Sequence, residues 1–256
     1  MKAIITQVKQ DAGHIILNRP EAMNTFNAEL AMGLNDALHA MDADPRVRAV
    51  ILSSEGKNFS TGIDLKELLS KEREEIRAFL GLMDLHNHTL AIMSKPVIAA
   101  VQGYALANGT GLALACDFVV AAEGAFFGTT AVNVGLICLE PGYQLARWIG
   151  WKRALQYVLS GELIPAEKGK ELGFVHTVVK KDELPEAAAG LAEKLASKSP
   201  ASMRAGKRGF AQMEGLHLDR AIEVGGEIFA ALAASEDGRE GIGAFLEKRP
   251  PIWKGR

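Results

Sequence analysis

Lys95 to Asp117, KPVIAAVQGYALANGTGLALACD, constrains the fold of this chain more than any other stretch. Pro96 cannot sit inside a helix, so whatever helix precedes it ends there. Val97 to Val101 is a short apolar run between turn signals, the pattern of a buried strand. Gly103 allows a sharp turn. Ala107 to Ala115 then opens a helix of small residues, in which Gly109 and Gly111 let another backbone or a ligand come close. A strand feeding a glycine-rich helix start aims several free N–H groups and the positive end of a helix dipole at one spot. That spot suits an anion, whether a bound phosphate or a charge that develops during a reaction. The stretch is neither G-x-G-x-x-G nor a Walker loop, and close packing alone would explain its glycines equally well.

The flanking segments repeat the same grammar. Residues 3 to 8 and 14 to 17 are strand-like, and Asp11-Ala12-Gly13 between them reads as a hairpin turn. Asn27 is placed to cap a helix on which Leu30, Leu34, Ala37, Leu38 and Met41 recur at helical spacing. Val47 to Leu52 is a further strand. Ile76, Phe79, Leu80, Met83 and Leu90 predict one long amphipathic helix up to Pro96. Phe118 to Ala122 and Ala125 to Gly128 are strands, and Thr129 to Pro141 is a loop. Leu145 to Leu159 is helical with a break at Gly150, and Gly161 ends it. Ile164 to Gly173 holds a short helix, and Phe174 to Val179 is the last strand. Helices then fill about 184–198, 200–213, 218–234 and 238–247. Strand, helix and strand with short links indicate an α/β fold with parallel pairing. The change to all-helix near residue 195 is the one candidate boundary, giving regions 1–195 and 196–256.

Several functions are excluded early. A net charge of −2 argues against a nucleic-acid surface. Cys116 and Cys138 have no metal-ligand spacing and suit a reducing, cytoplasmic setting. The first residues are too short and polar for a signal peptide, and no run approaches a membrane span. Ser60 lies two residues before Gly62, but a nucleophile elbow needs glycine where Asn58 stands. His86 and His88 point to different helix faces, so they make a poor metal pair; one exposed and one partly packed is the plain expectation. Asp64 reads as an acid at a helix start.

Taken in order, the motifs resemble the enoyl-CoA hydratase/isomerase (crotonase) superfamily along nearly the whole chain. The matching stretches are Asn18–Asn24, Phe59–Leu65, Lys95–Leu106, Leu112–Phe118, Leu159–Glu162, Pro165–Ala166, Gly173–Val175 and Gly241–Arg249. The resemblance implies a crotonase-like spiral of ββα units, with a C-terminal helical trimerisation region at 196–256. It implies a homotrimer or a hexamer built as a dimer of trimers. The ligand would be an acyl-CoA thioester, with no cofactor beyond its coenzyme A and no metal. The backbone N–H groups of Ile63 and Asn108 would form an oxyanion hole for the thioester oxygen. Met23, Ile63, Asp64, Leu65 and Lys66 would line the coenzyme A, and Phe245 and Lys248 would reach its nucleotide end.

The chain departs from the family where water is handled. Hydratases of the family carry two glutamates, and their positions fall here on Gly111 and Ala131. The usual oxyanion glycine is Asn108. Glu140 remains near a position where isomerases and an aryl-CoA dehalogenase of the family keep an acid; its plain reading is a surface acid at a helix start. His86 and His88 are further candidates, since their helix lines the acyl pocket in relatives, and Tyr143 is a weaker one. The expectation is isomerisation of an enoyl-CoA double bond by one carboxylate, taking a proton from C2 and returning it at C4. An atypical hydratase or a catalytically silent acyl-CoA-binding subunit are the alternatives.

Overall fold

The computed structural model describes residues 2–256. Strands β1 (Ile4–Lys9) and β2 (Ala12–Leu17) lead to α1 (Ala28–Ala43), β3 (Ala49–Ser54), α2 (Leu65–Leu69), α3 (Arg73–Met83), α4 (Leu85–Ile92) and β4 (Val97–Val101). Then come β5 (Tyr104–Leu106), α5 (Asn108–Ala115), β6 (Phe118–Ala122), β7 (Phe126–Gly128), α6 (Leu139–Ile149) and α7 (Trp151–Ser160). The chain continues with β8 (Leu163–Pro165), α8 (Ala166–Glu171) and β9 (Thr177–Val179). It finishes with α9 (Leu184–Ala196), α10 (Pro200–Met213), α11 (Leu218–Ala234) and α12 (Glu236–Leu246).

A six-stranded sheet runs β1-β2-β3-β4-β6-β9, and a smaller one runs β5-β7-β8. Among the described residues, only β1–β2 and β7–β8 pair antiparallel. The central strands are apolar on both faces, as parallel strands covered on both sides must be. Val50, Leu52, Val97, Ala99 and Val101 join the main core with Leu30, Leu34 and Leu38 of α1. Their alternating neighbours Ala49, Ile51, Ile98 and Ala100 meet Leu184, Ala188 and Ala192 of α9 on the other face. Asn27 caps α1, accepting from Leu30 N at 2.9 Å. Each fully buried leucine on that helix contributes about 2 kcal/mol through area removed from water.

Some local expectations are corrected. Lys9 pairs with Ala12, so the hairpin turn is Gln10-Asp11 and Gly13 lies inside β2. Packing explains that glycine: a Cβ on it would lie 2.6 Å from Met41 Sδ. The expected long helix before Pro96 is two helices, broken at Asp84. Helix α6 starts at Leu139, inside the stretch read as loop. Pro141 falls in its first turn, where a missing N–H has no helical partner to lose. The stretch 163–165 pairs as β8 before the short helix begins, and the last strand covers only Thr177–Val179. No helix among the described residues is long and apolar enough to cross a membrane.

Candidate active site

The site is built around the turn from β5 into α5. Backbone bonds lock this turn to the segment before α2: Ser60 N donates to Tyr104 O at 3.1 Å, and Leu106 N to Ser60 O at 2.9 Å. Gly109 permits this approach, because any Cβ there would collide with the Ser60 carbonyl. Asn108 begins α5, so its N–H has no partner within the helix. Ile63 pairs through its neighbours: Phe26 N donates to Gly62 O and Asp64 N to Phe26 O, both at 2.8 Å. Neither the Ile63 nor the Asn108 N–H meets an acceptor among the described residues.

The two turns are in contact. A Cβ placed on Gly62 would lie 2.8 Å from Ala107 Cβ and 3.7 Å from Asn108 N. Gly62 adopts φ +98° and Ala107 φ 48°, ψ −120°. An alanine at positive φ is strained, and such strain persists only where surrounding contacts hold it. Two adjacent N–H groups, fixed before any ligand arrives, can stabilise a negative charge that grows during a reaction.

Glu140 lies in the first turn of α6, half-buried rather than on the surface. Its Oε1 accepts from Asn87 Nδ2 at 2.8 Å and from Gln144 Nε2 at 3.3 Å. Its Oε2 faces Gly111, where a Cβ would stand 3.0 Å away. The carboxylate thus occupies the space that a side chain at position 111 of α5 would fill. Burial first, and then the charge of Asp84, raise its pKa to about 7, against the pull of its two amide donors. A carboxyl that titrates near neutrality can both take and give a proton.

Asp84 stands at the break between α3 and α4. Its Oδ1 accepts from Asn108 Nδ2 at 3.4 Å, and its backbone carbonyl accepts from Asn87 N at 3.1 Å. Burial raises its pKa also, partly countered by His88. Asp84, Asn87 and Gln144 were not legible as site residues. An i+3 step from Asp84 to Asn87, both polar and inside an apolar helical pattern, was the available signal.

The remaining candidates fall in different places. His86 is fully buried, tilted against Phe26 with ring centroids 5.5 Å apart. Burial lowers its pKa to about 4, and its Nε2 has no partner among the described residues. It is a neutral core histidine, more buried than expected, whereas His88 is exposed. Tyr143 is exposed, its ring edge-on to Trp151 with centroids 5.9 Å apart. Asp64 caps α2 through Lys66 N and Glu67 N and pairs with Arg19 at 3.2 Å. Met23, at φ 53°, accepts at its carbonyl from Thr61 N. Met23, Leu65 and Lys66 are exposed beside half-buried Ile63. Phe245, near the end of α12, and Lys248, just beyond it, are both exposed.

A family model described as enoyl-CoA hydratase/isomerase matches residues 7–256. The chain is 37% identical to the 2,3-dehydroadipyl-CoA hydratase of Escherichia coli, covering 100% of both chains. It is 34% identical to the crotonyl-CoA hydratase of Syntrophomonas wolfei, over 96% of this chain and 95% of that one. The solved enoyl-CoA hydratase of Mycobacterium smegmatis superposes with a TM-score of 0.95 at 32% identity, covering 98% of each chain. With the fold, the motif order and the full length in agreement, the chain belongs to the enoyl-CoA hydratase/isomerase family of enzymes and has the crotonase fold.

Proposed function

We propose that the chain isomerises the double bond of an enoyl-CoA, with Glu140 as its one proton carrier. The observation behind this reading is the Glu140 carboxylate standing over Gly111 with a pKa near 7. The thioester oxygen sits between the Ile63 and Asn108 N–H groups, which hold the enolate. Glu140 Oε2 removes the C2 proton, and the double bond shifts as that proton returns at C4. Each backbone donor to the developing oxyanion lowers the barrier by about 3 kcal/mol. Met23 and Ile63 to Lys66 flank the coenzyme A, and Phe245 and Lys248 come from a neighbouring copy. Exposed apolar residues in the C-terminal helices, Phe210, Ile222, Phe229 and Phe245, support a trimer or hexamer held together by residues 196–256.

A second reading is water addition. The relatives named above are hydratases, and Asn87 Oδ1, beside Glu140, is a buried acceptor without a donor among the described residues. The test is incubation with 3-enoyl-CoA and 2-enoyl-CoA in deuterated water, followed by NMR of the acyl chain. Deuterium at C2 or C4 with a moved double bond, abolished in Glu140→Gln, supports isomerisation. A 3-hydroxyacyl product means hydration. Acyl-CoA binding without exchange or turnover would mean a silent subunit and sink the proposal.

A further inference from the structure

The backbone donors come from Ile63, before α2, and Asn108, at the start of α5, and the carboxylate comes from α6; Asp84 connects directly to Asn108 and, through Asn87, to Glu140. Asp84 Oδ1 meets the Asn108 side chain, and the Asp84 carbonyl anchors Asn87, whose amide holds Glu140 Oε1. Nothing local requires the helix to break here, since neither proline nor glycine stands between Arg73 and Ile92 apart from Gly81 inside α3. The break turns Asp84 into the corner of the site. We propose that Asp84 is a positioning residue for this reaction, its carboxylate setting the proton balance of Glu140 while its contacts orient Asn108 and Asn87.

The charges around it are few. His88 faces Asp84 from α4, and Cys138 precedes Glu140 at the start of α6. Asn87, Asn108 and Gln144 are neutral, and Arg147 reaches only Gln144, at 3.3 Å, and Glu214. Asp84 is therefore the negative charge that acts on Glu140. A carboxylate beside another holds its proton more tightly and, once ionised, is the stronger base. This inference rests on Glu140 being the proton carrier.

The test is the pH profile of C2–H exchange and of 3-enoyl-CoA isomerisation by the whole protein. Asp84→Asn keeps the shape and an acceptor for Asn108 but removes the charge. The ascending limb is expected to move about one unit toward lower pH, with kcat on the high-pH plateau lower by about threefold and at most about tenfold, and KM little changed. Asp84→Glu should return the limb toward its wild-type position. His88→Lys, on the exposed side of α4, places a fixed positive charge beside Asp84 without touching the helix junction. It should move the limb in the same direction, which keeps the inference testable if Asp84→Asn folds poorly. Limbs unmoved in both variants, or a pH-independent fall with a raised KM, would overturn it while an inactive Glu140→Gln left the isomerase reading intact. Full activity of Glu140→Gln, or no exchange by the wild type, would overturn both.

Discussion

Replacing Gly111 with alanine separates stability from activity in this fold. Gly111 is inside α5, donating to Ala107 O at 3.0 Å, and its φ is not positive. Alanine should therefore gain helix propensity, up to about 1 kcal/mol, or a rise in melting temperature of about 2–4 °C. The new methyl meets Glu140 Oε2 at 3.0 Å and Pro141 Cγ at 3.4 Å. Pro141 is fixed in the first turn of α6, so the end of the glutamate side chain gives way, by a few tenths of an ångström. Displacement of a proton carrier on that scale costs about tenfold in kcat, or about 1.4 kcal/mol. The methyl also removes water from Oε2, so the ascending limb of the pH profile should move to higher pH. Thermal melts and pH-resolved isomerisation kinetics measure both effects. A variant at least as stable as the wild type, with kcat within twofold and an unmoved limb, would refute the placement of Glu140 against this helix.

Other substitutions probe the same architecture. Glu140 binds its proton more tightly folded, at about 7, than at the ordinary 4.5, so its contribution to stability is complete below 4.5 and lost as pH rises through 7. Glu140→Gln should therefore melt like the wild type at pH 4 to 5 and be more stable at pH 8.5, by up to about 3 kcal/mol; equal melting at both pH values would contradict the burial. Gly62→Ala forces a side chain into φ +98° and against Ala107, and should cost about 2–4 kcal/mol in urea unfolding, a loss below 1 kcal/mol arguing against the contact between the two turns. Asn24, buried at φ 54°, donates to the Glu55 and Asn58 carbonyls and accepts from Arg19 N. Asn24→Ala should cost about 2–4 kcal/mol by stranding these groups, and guanidinium unfolding would show it.

What the sequence reveals follows from the range of the forces involved. The period of Leu30, Leu34 and Leu38, the cap at Asn27 and the apolar runs at Val97 and Phe118 are local signals, and the structure bears them out. The family and its fold were likewise legible, because motif order survives substitution. The errors arise where distant segments decide. Gly13 looks like a turn residue, but Met41 and Val47 require it. The apolar period runs through Asp84 without interruption, because the groups that make it a corner, Asn108 directly and Glu140 through Asn87, belong to later helices. Pro141 marks a boundary in either direction, and only its place in the first turn shows that it opens a helix. Glu140 could be singled out by position, but not the contact with Gly111 that raises it above an ordinary surface acid.

The lock between Ser60 and the turn before α5 also bears on how such a protein can change. The Ile63 and Asn108 N–H groups belong to the main chain, so substituting either side chain leaves the donor itself in place. The carboxylate is a replaceable side chain on a separate helix. A lineage can therefore move its acid from one element to another, while every intermediate keeps the same pair of main-chain donors. Divergence in this architecture is cheap on one side of the cleft and nearly closed on the other.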